Sequence, residues 1–377
     1  MVTIVIGLMA CFLFAAQRVF YKKFWNKHLD VKLYFGQEGI FQGECGQIYE
    51  VIENQKKLPL PMIKVKFQCS KELKFPDAKG SNVSDMFYRN DIFTVMPNRK
   101  ITRQLDFIGT KRGYFGVVGV DVVGSDLFLS QSFMESRGGE AWIYVYPIPL
   151  RSPEITMALQ QLNGEVLAKR HLLEDPFEYK GIREYQPYDE MKSINWKATA
   201  KTGELKVNEK NYTSLKAIRI FLNLEDSGIH KNDDLVEASI RIAATVAENF
   251  LTQGIKVSMF ANLEDSITGK TMAIRESSGK AHMNHIYKAL ARLNDKKPAI
   301  KYSDSLKAEA EKESNGTMTV FIAPNFYPDF EKELMEYKAK GMDFICFLIR
   351  QKKDDITVPP ALGREIKVFD VGGEVLS

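Results

Sequence analysis

Hydrophobic and polar residues follow three different periods along this chain. From Val2 to Ala16 there is no charge, and Thr3 is the only clearly polar side chain. From about Asp30 to Pro149 the apolar residues alternate with polar ones in short runs: VKLYF, GQIYEVIEN, MIKVKFQC, DIFTVM, ITRQLDFIGT, GYFGVVGVDVV and AWIYVYPI. These runs are rich in Val, Ile, Phe and Tyr and are separated by Gly, Pro, Asn and Asp, which predicts about seven strands with one face inward. From about Leu215 onward, continuous apolar runs such as AIRIFLNL, IKVSMFAN, TMTVFIAP and DFICFLIR alternate with segments of helical period. In DDLVEASIRIAATVAENFLTQG, residues Leu235, Ala238, Ile242 and Val246 mark one helix face and Gly254 the stop. HIYKALARLN, SLKAEAEKESNG and FEKELMEYKAKG read as further helices.

The first pattern predicts an apolar helix, the second a β-sandwich of immunoglobulin-like type, and the third a parallel, doubly wound α/β sheet. The fold class is therefore multidomain α+β. Its divisions are an N-terminal transmembrane helix over 1–24, a sandwich over 30–149, a connector over 150–214 and an α/β domain over 215–377. The aromatic residues of the sandwich, including those of KRGYFGVVGVDVVGSDLF, are expected in its core. The connector shows a helical patch around Met157–Leu162 and then a polar run toward Pro176.

Charge sharpens the first of these assignments. The 377 residues carry a formal net charge of +4. Arg18, Lys22, Lys23, Lys27 and Lys32 against Asp30 give 5 − 1 = +4 just after the apolar run, so the rest of the chain is balanced. A balanced body lacks the basic footprint of a nucleic-acid binder. A helix over the first sixteen residues is about 24 Å long, short of the roughly 30 Å hydrocarbon core. Val19, Phe20 and Tyr21 lengthen it, Arg18 and Lys22 can snorkel, and Tyr21 and Trp25 suit the interface. The basic residues after the helix place the body in the cytoplasm. A cleaved secretory signal is the rival reading, and it lacks the charged segment that precedes such an apolar run. Cys11, Cys45, Cys69 and Cys346 are scattered, with no CxxC, which fits a reducing compartment.

The candidate chemistry concentrates in GIREYQPYDEMKSINWKATAKTGELKVNEK, residues 181–210. Pro187 keeps the segment before it extended. Asp189 suits a helix N-cap, with Glu190 in the first turn, Met191, Ile194 and Ala198 on one face, and Gly203 as the stop. ELKVNEK resumes as a strand. Arg183 is expected to fork onto a carboxylate such as Asp189 or Glu184. Asn195 is expected to satisfy loop carbonyls, and Trp196 to pack between domains with its indole N–H bonded.

This stretch resembles the signature of the domain of unknown function 58 family, roughly R-E-Y-x-P-G-D-x-x-R-x-I-N/D-W-K-x-S/T-A-R. Arg183, Glu184, Tyr185, Pro187, Asp189, Ile194, Asn195, Trp196, Lys197 and Ala200 match; Tyr188 stands in place of the glycine, and Lys192 and Lys201 in place of arginines. NQKKLPLPMIKVKF, KRGYFGVVGVDVVGSDLF and IYVYPIPL resemble the sandwich domain of that family. The resemblance implies a bacterial membrane-anchored cytoplasmic adaptor or scaffold with a C-terminal fold like the von Willebrand factor A domain. It also implies partnership with a MoxR-type AAA+ ATPase, and in some cases with a transglutaminase-like membrane protein.

In the adhesion members of the A-domain fold, a D-x-S-x-S run after the first strand holds Mg²⁺. Here those positions read Asn223, Glu225 and Ser227, with Ser277 or Ser278 for the later threonine and Asn325 for the later aspartate. The missing aspartates favour a degenerate pocket that meets a partner protein without metal.

Rival chemistry is sparse. Asp189, Glu204 and Lys206 imitate the P-D…E-x-K centre of a metal-dependent nuclease, and a cleaved first segment would leave an envelope-facing binding protein. GKT at 269–271 lacks the first glycine and the following helix of a phosphate loop. His282 and His285 lack the glutamate of HExxH. No nucleophile with its base is apparent, so the reading is of a non-enzyme.

Overall fold

The computed structural model describes residues 2–76, 81–138, 140–172, 174–187, 189–212, 217–225, 232–294, 297–305, 307–310, 317–351 and 358–370. The chain forms two compact units, Met1–Ile148 and Pro149–Ser377.

The first unit begins with helix α1 (Val2–Phe24). Its Thr3–Phe24 portion is long and apolar enough to cross a membrane. The residues up to Phe20 are largely exposed, and the last turn then docks onto the sheets. Tyr21 is buried and its hydroxyl donates to the carbonyl of Pro59 at 3.0 Å. Trp25 enters the core over Gly124, where an added Cβ would stand 2.3 Å from the indole, so only glycine fits there.

The strands are β1 (Leu29–Phe35), β2 (Gly39–Phe41), β3 (Cys45–Asn54), β4 (Leu60–Ser70), β5 (Leu73–Lys74), β6 (Ser81–Val83), β7 (Met86–Val95), β8 (Arg99–Gly109), β9 (Gly113–Ser125), β10 (Ser132–Arg137) and β11 (Ala141–Tyr146). They make one sheet of order β1-β3-β8-β5 and another of order β2-β11-β9-β4-β7-β6, with β10 on β9. The inward side chains of both sheets share one core that includes Ile48, Ile52, Val65, Phe67, Phe93, Phe107, Val122 and Ile143. This is a sandwich-like arrangement in which alternate residues face inward. All seven segments with an alternating period are strands. The four without one are β2, β5 and β6, which have two or three residues each, and β10, an edge strand with no buried position.

Three inward positions of this core are charged. Glu50 on β3 is fully buried, and Arg89 and Asp91 on β7 are nearly so. Arg89 Nε donates to Asp91 at 2.6 Å, and Arg103 of β8 donates to the other Asp91 oxygen at 2.8 Å. Neither carboxyl oxygen of Glu50 meets a donor. Burial and then the neighbouring Asp91 carboxylate push the Glu50 carboxyl up to about 8, against the opposing pull of Arg103 and Arg89.

The second unit opens with α2 (Pro153–Leu172), which is longer than the Met157–Leu162 patch because Ile155, Leu159, Leu162 and Val166 continue one buried stripe. Next come β12 (Glu174–Glu184), α3 (Trp196–Thr202) and β13 (Lys206–Tyr212), with β12 and β13 paired antiparallel. The remainder is β14 (Ala217–Leu222), α4 (Asp233–Thr252), β15 (Lys256–Glu264), β16 (Thr271–Ser277), α5 (Lys280–Arg292), α6 (Tyr302–Ser305), α7 (Lys307–Ala310), β17 (Thr317–Ala323), α8 (Pro328–Ala339), β18 (Phe344–Arg350) and β19 (Ile366–Asp370).

These last strands form a sheet of order β16-β15-β14-β17-β18-β19, parallel throughout except for the antiparallel edge strand β16. Helix α4 packs on β14, β15, β17 and β18. Phe221, Phe321, Cys346 and Leu348 cluster with Phe330, Leu334 and Tyr337 of α8 and with Tyr302. Continuous apolar strands arise because helices cover both faces.

Candidate functional site

The parallel strands end together at Asn223, Asn262 and Ala323, where open α/β sheets usually present their ligand sites. Asn223 and Asn262 are buried there. Asn262 Nδ2 donates to Asn223 Oδ1 and to the carbonyl of Ile300, each at 2.9 Å, while its Oδ1 accepts from the Leu224 amide at 2.7 Å. Asn223 Nδ2 donates to the Tyr327 hydroxyl at 3.0 Å. That hydroxyl donates to Glu225 Oε2 at 2.6 Å, and the same oxygen accepts from the Tyr302 amide at 3.0 Å. Burial and the bond to Glu225 raise the Tyr327 phenol well above its ordinary range, so it stays a donor. Beyond this network lies a cavity of about 140 Å³ lined in part by Glu225, Lys301, Tyr302, Tyr327 and Asp329.

Among the described residues, the oxygens at the strand ends already have partners. The Asn223 carbonyl accepts from the Asn262 amide, and Glu225 accepts from the Tyr327 hydroxyl and the Tyr302 N–H, so a metal would first have to displace these donors. Among the described residues no group of three or more His, Cys, Asp and Glu side chains is placed to hold a metal ion. Two expected metal-site assignments need correction. Ser277 pairs with Val257 at the opposite end of β15, because β16 runs antiparallel, so neither it nor Ser278 can stand for the threonine. Asn223, expected to contact a partner, is 1% exposed. Asn325 lies nearby, its Nδ2 donating to the Glu225 carbonyl at 3.4 Å. Ser227 lies outside the described residues.

The second candidate is the β12–β13 hairpin. Arg183 forks onto Asp189, with both bonds at 2.6 Å, and Asp189 also accepts from the Gln186 amide at 2.8 Å. The Arg183 bond, more than any other contact, holds the Asp189 carboxyl below the usual carboxylate range. The carboxylate is thereby unavailable as a helix cap. The helix therefore does not start at Asp189: a single 3₁₀ turn spans Met191–Ser193, Ile194 is extended, and α3 begins at Trp196. Asn195 supplies the cap, its Oδ1 accepting from the Ala198 amide at 3.0 Å, while its Nδ2 donates to Asn208 Oδ1 at 2.7 Å rather than to a loop carbonyl. Gly203, at φ 76°, closes the helix as expected.

Ile194 and Val207 are buried beneath this frame, and the frame displays apolar residues outward. Trp196 is 64% exposed and Met191 68%, with Ile182 and Leu205 also exposed. Trp196, expected to pack between domains, stands exposed at the first position of α3.

Residues 181–367 match the family model described as "Protein of unknown function DUF58". This stretch is similar to that family. It takes in both the hairpin and the parallel sheet. Among solved structures, the CARDB domain of a Pyrococcus furiosus protein in complex with di-metal ions is 12% identical over 31% of this chain and 89% of its own, with a TM-score of 0.21. Spo0M, a sporulation control protein of Bacillus subtilis, is 12% identical over 42% and 58%, with a TM-score of 0.20. A non-cellulosomal cohesin from Archaeoglobus fulgidus is 13% identical over 34% and 97%, with a TM-score of 0.20. Likeness at this level carries no argument about function. No curated protein matches the chain.

Within the matched stretch the nuclease-like trio separates into two ion-pair groups. Asp189 is bonded to Arg183, whereas the Lys206 ammonium sits 3.3 Å from both Glu184 and Glu204. Of the matched signature residues, Arg183, Asp189 and Asn195 build the hairpin, Glu184 flanks it through Lys206, and Tyr185 contributes its amide to the Leu205 carbonyl at 3.0 Å. Lys197 lies on α3 in the turn that follows the cap. His282 accounts for itself structurally, its Nε2 lying 2.8 Å from the Val257 carbonyl. Sequence reasoning missed Asn262, Tyr302 and Tyr327. The one available signal was a polar residue directly after an apolar run, as in VSMFAN.

Proposed function

We propose that this protein is a single-pass membrane adaptor with a cytoplasmic body, and that its DUF58 region docks a MoxR-type AAA+ ATPase. The observation that carries this reading is Trp196, held exposed on a hairpin whose polar groups are already satisfied by one another. Exposed tryptophan on a preorganised frame is the usual anchor of a protein contact, because it brings a large rigid surface at little conformational cost. The strand order of the parallel sheet, with its antiparallel edge, supports a domain of von Willebrand factor A type, a fold that presents its strand ends to partners. Glu225 and the cavity beside it then form a second, metal-free part of the contact. A transglutaminase-like membrane protein is a further partner consistent with the signature.

The test is capture of the ATPase from detergent-solubilised membranes. Trp196→Ala removes only exposed surface and is expected to change stability by less than about 0.5 kcal/mol. It should nevertheless abolish co-purification of the ATPase. Undiminished capture by a folded Trp196→Ala protein would refute the proposed contact.

A further inference from the structure

The β9–β10 loop, Asp126 to Gln131, presents three large apolar side chains in a row. Leu127 is 46% exposed, Phe128 61% and Leu129 56%. Phe128 was expected in the sandwich core with the other aromatics, and it is outside it.

The loop is built rather than loose. The Asp126 side chain accepts from the Ser130 and Gln131 amides at 2.5 and 3.1 Å, and from the Ser130 hydroxyl. Leu129 donates its amide to the Asp126 carbonyl at 3.1 Å and adopts φ 56°, a region that a leucine enters only against steric resistance. An exposed leucine at such a position, where glycine or asparagine would fit more easily, indicates a use for the side chain itself.

The loop is also tied to α1. Gln17 Nε2 donates to Asp126 at 2.8 Å, and Arg18 Nε donates to the Ser130 hydroxyl at 2.9 Å. The Phe14 and Phe128 rings lie 5.6 Å apart between centroids, and the Arg18 guanidinium stands 4.6 Å over the Phe14 ring. Phe14 is one helical turn from Arg18 on the apolar side, which fixes the depth of Phe128 relative to the basic belt.

We propose that Leu127, Phe128 and Leu129 insert into the bilayer beside α1 as a second, non-spanning membrane contact. This inference rests on the reading of α1 as a membrane span. Where α1 crosses, Arg18 lies at the lipid phosphates and Phe14 below them in the acyl region. Phe128 touches Phe14 and must share its depth. Exposed in water, three consecutive apolar side chains would be an aggregation hazard; against acyl chains they extend the apolar surface of a helix whose uncharged run is short for the bilayer. Two points of attachment also restrict rotation of the sandwich about the helix axis.

The experiment uses the full chain in phosphatidylcholine–phosphatidylglycerol vesicles, with Cys11→Ala and Cys45→Ser to remove the exposed thiols. A polarity-sensitive fluorophore is attached after Leu127→Cys or Phe128→Cys, with Leu8→Cys as a reference within the span and Ile92→Cys as a reference on the exposed sheet. Labels at 127 and 128 are expected to emit blue-shifted light and to be quenched by lipids brominated on their acyl chains, as at position 8 and unlike position 92. If 127 and 128 behave as 92 while 8 is quenched, the second contact is refuted and the span stands. If position 8 is also unquenched, the span reading fails and this inference fails with it.

Discussion

Asn262→Ala is expected to destabilise the parallel-sheet unit by about 2–4 kcal/mol, because each buried polar group left without a partner costs about 1–3 kcal/mol. The Asn262 side chain meets three groups: the Leu224 amide, the Ile300 carbonyl and Asn223 Oδ1. Alanine orphans the first two outright. Asn223 Oδ1 retains the Glu225 amide at 3.2 Å, so its loss is partial. The effect should be local before it is global. Hydrogen exchange at the Leu224 amide should accelerate more than at the β14 amides that keep their ladder partners. Equal protection of Leu224 in the variant and the parent would show that the network does not hold the strand ends.

Glu50→Gln is expected to stabilise the sandwich at neutral and alkaline pH. The folded state keeps the Glu50 carboxyl protonated up to about 8, whereas the unfolded chain loses that proton near the ordinary value of 4.5. Between those limits the native state binds the extra proton, so stability falls as pH rises, by at most about 1.4 kcal/mol per pH unit. Below about 4.5 both states are protonated and the penalty disappears. Glutamine has nearly the same shape and no charge to bury. Urea unfolding should therefore show the variant ahead of the parent at pH 8, with the gap closing toward pH 4.5. A constant gap over that range would mean that Glu50 does not titrate as its surroundings dictate.

Much of this was legible in the residue pattern, and the exceptions have physical causes. Alternation in GQIYEVIEN puts Ile48, Glu50 and Ile52 on one face, so the buried acid was visible in principle; what the pattern lacked was its cross-sheet partner on β7. The apolar strands of the second unit identified themselves because both faces are covered, but their order depends on long-range packing that no local period encodes. The signature hairpin was placed correctly as strand, short helix and strand. Its helix start was misplaced because Asp189 had two possible uses, and the fork with Arg183 outcompeted capping. Trp196 was expected between domains and Phe128 in the sandwich core. Each is exposed because the backbone under it is fixed by a polar device, Asn195 in one case and Asp126 in the other.

The measurement that tests the account most directly is the side of the membrane on which the body lies. The proposed AAA+ partner would need cytoplasmic ATP, and under that proposal both Trp196 and the strand-end network would have to reach it there. Fusions at the C-terminus should give a fluorescent green fluorescent protein and an inactive alkaline phosphatase. An active phosphatase with a dark fluorescent protein would place the body outside, and the adaptor reading would be contradicted.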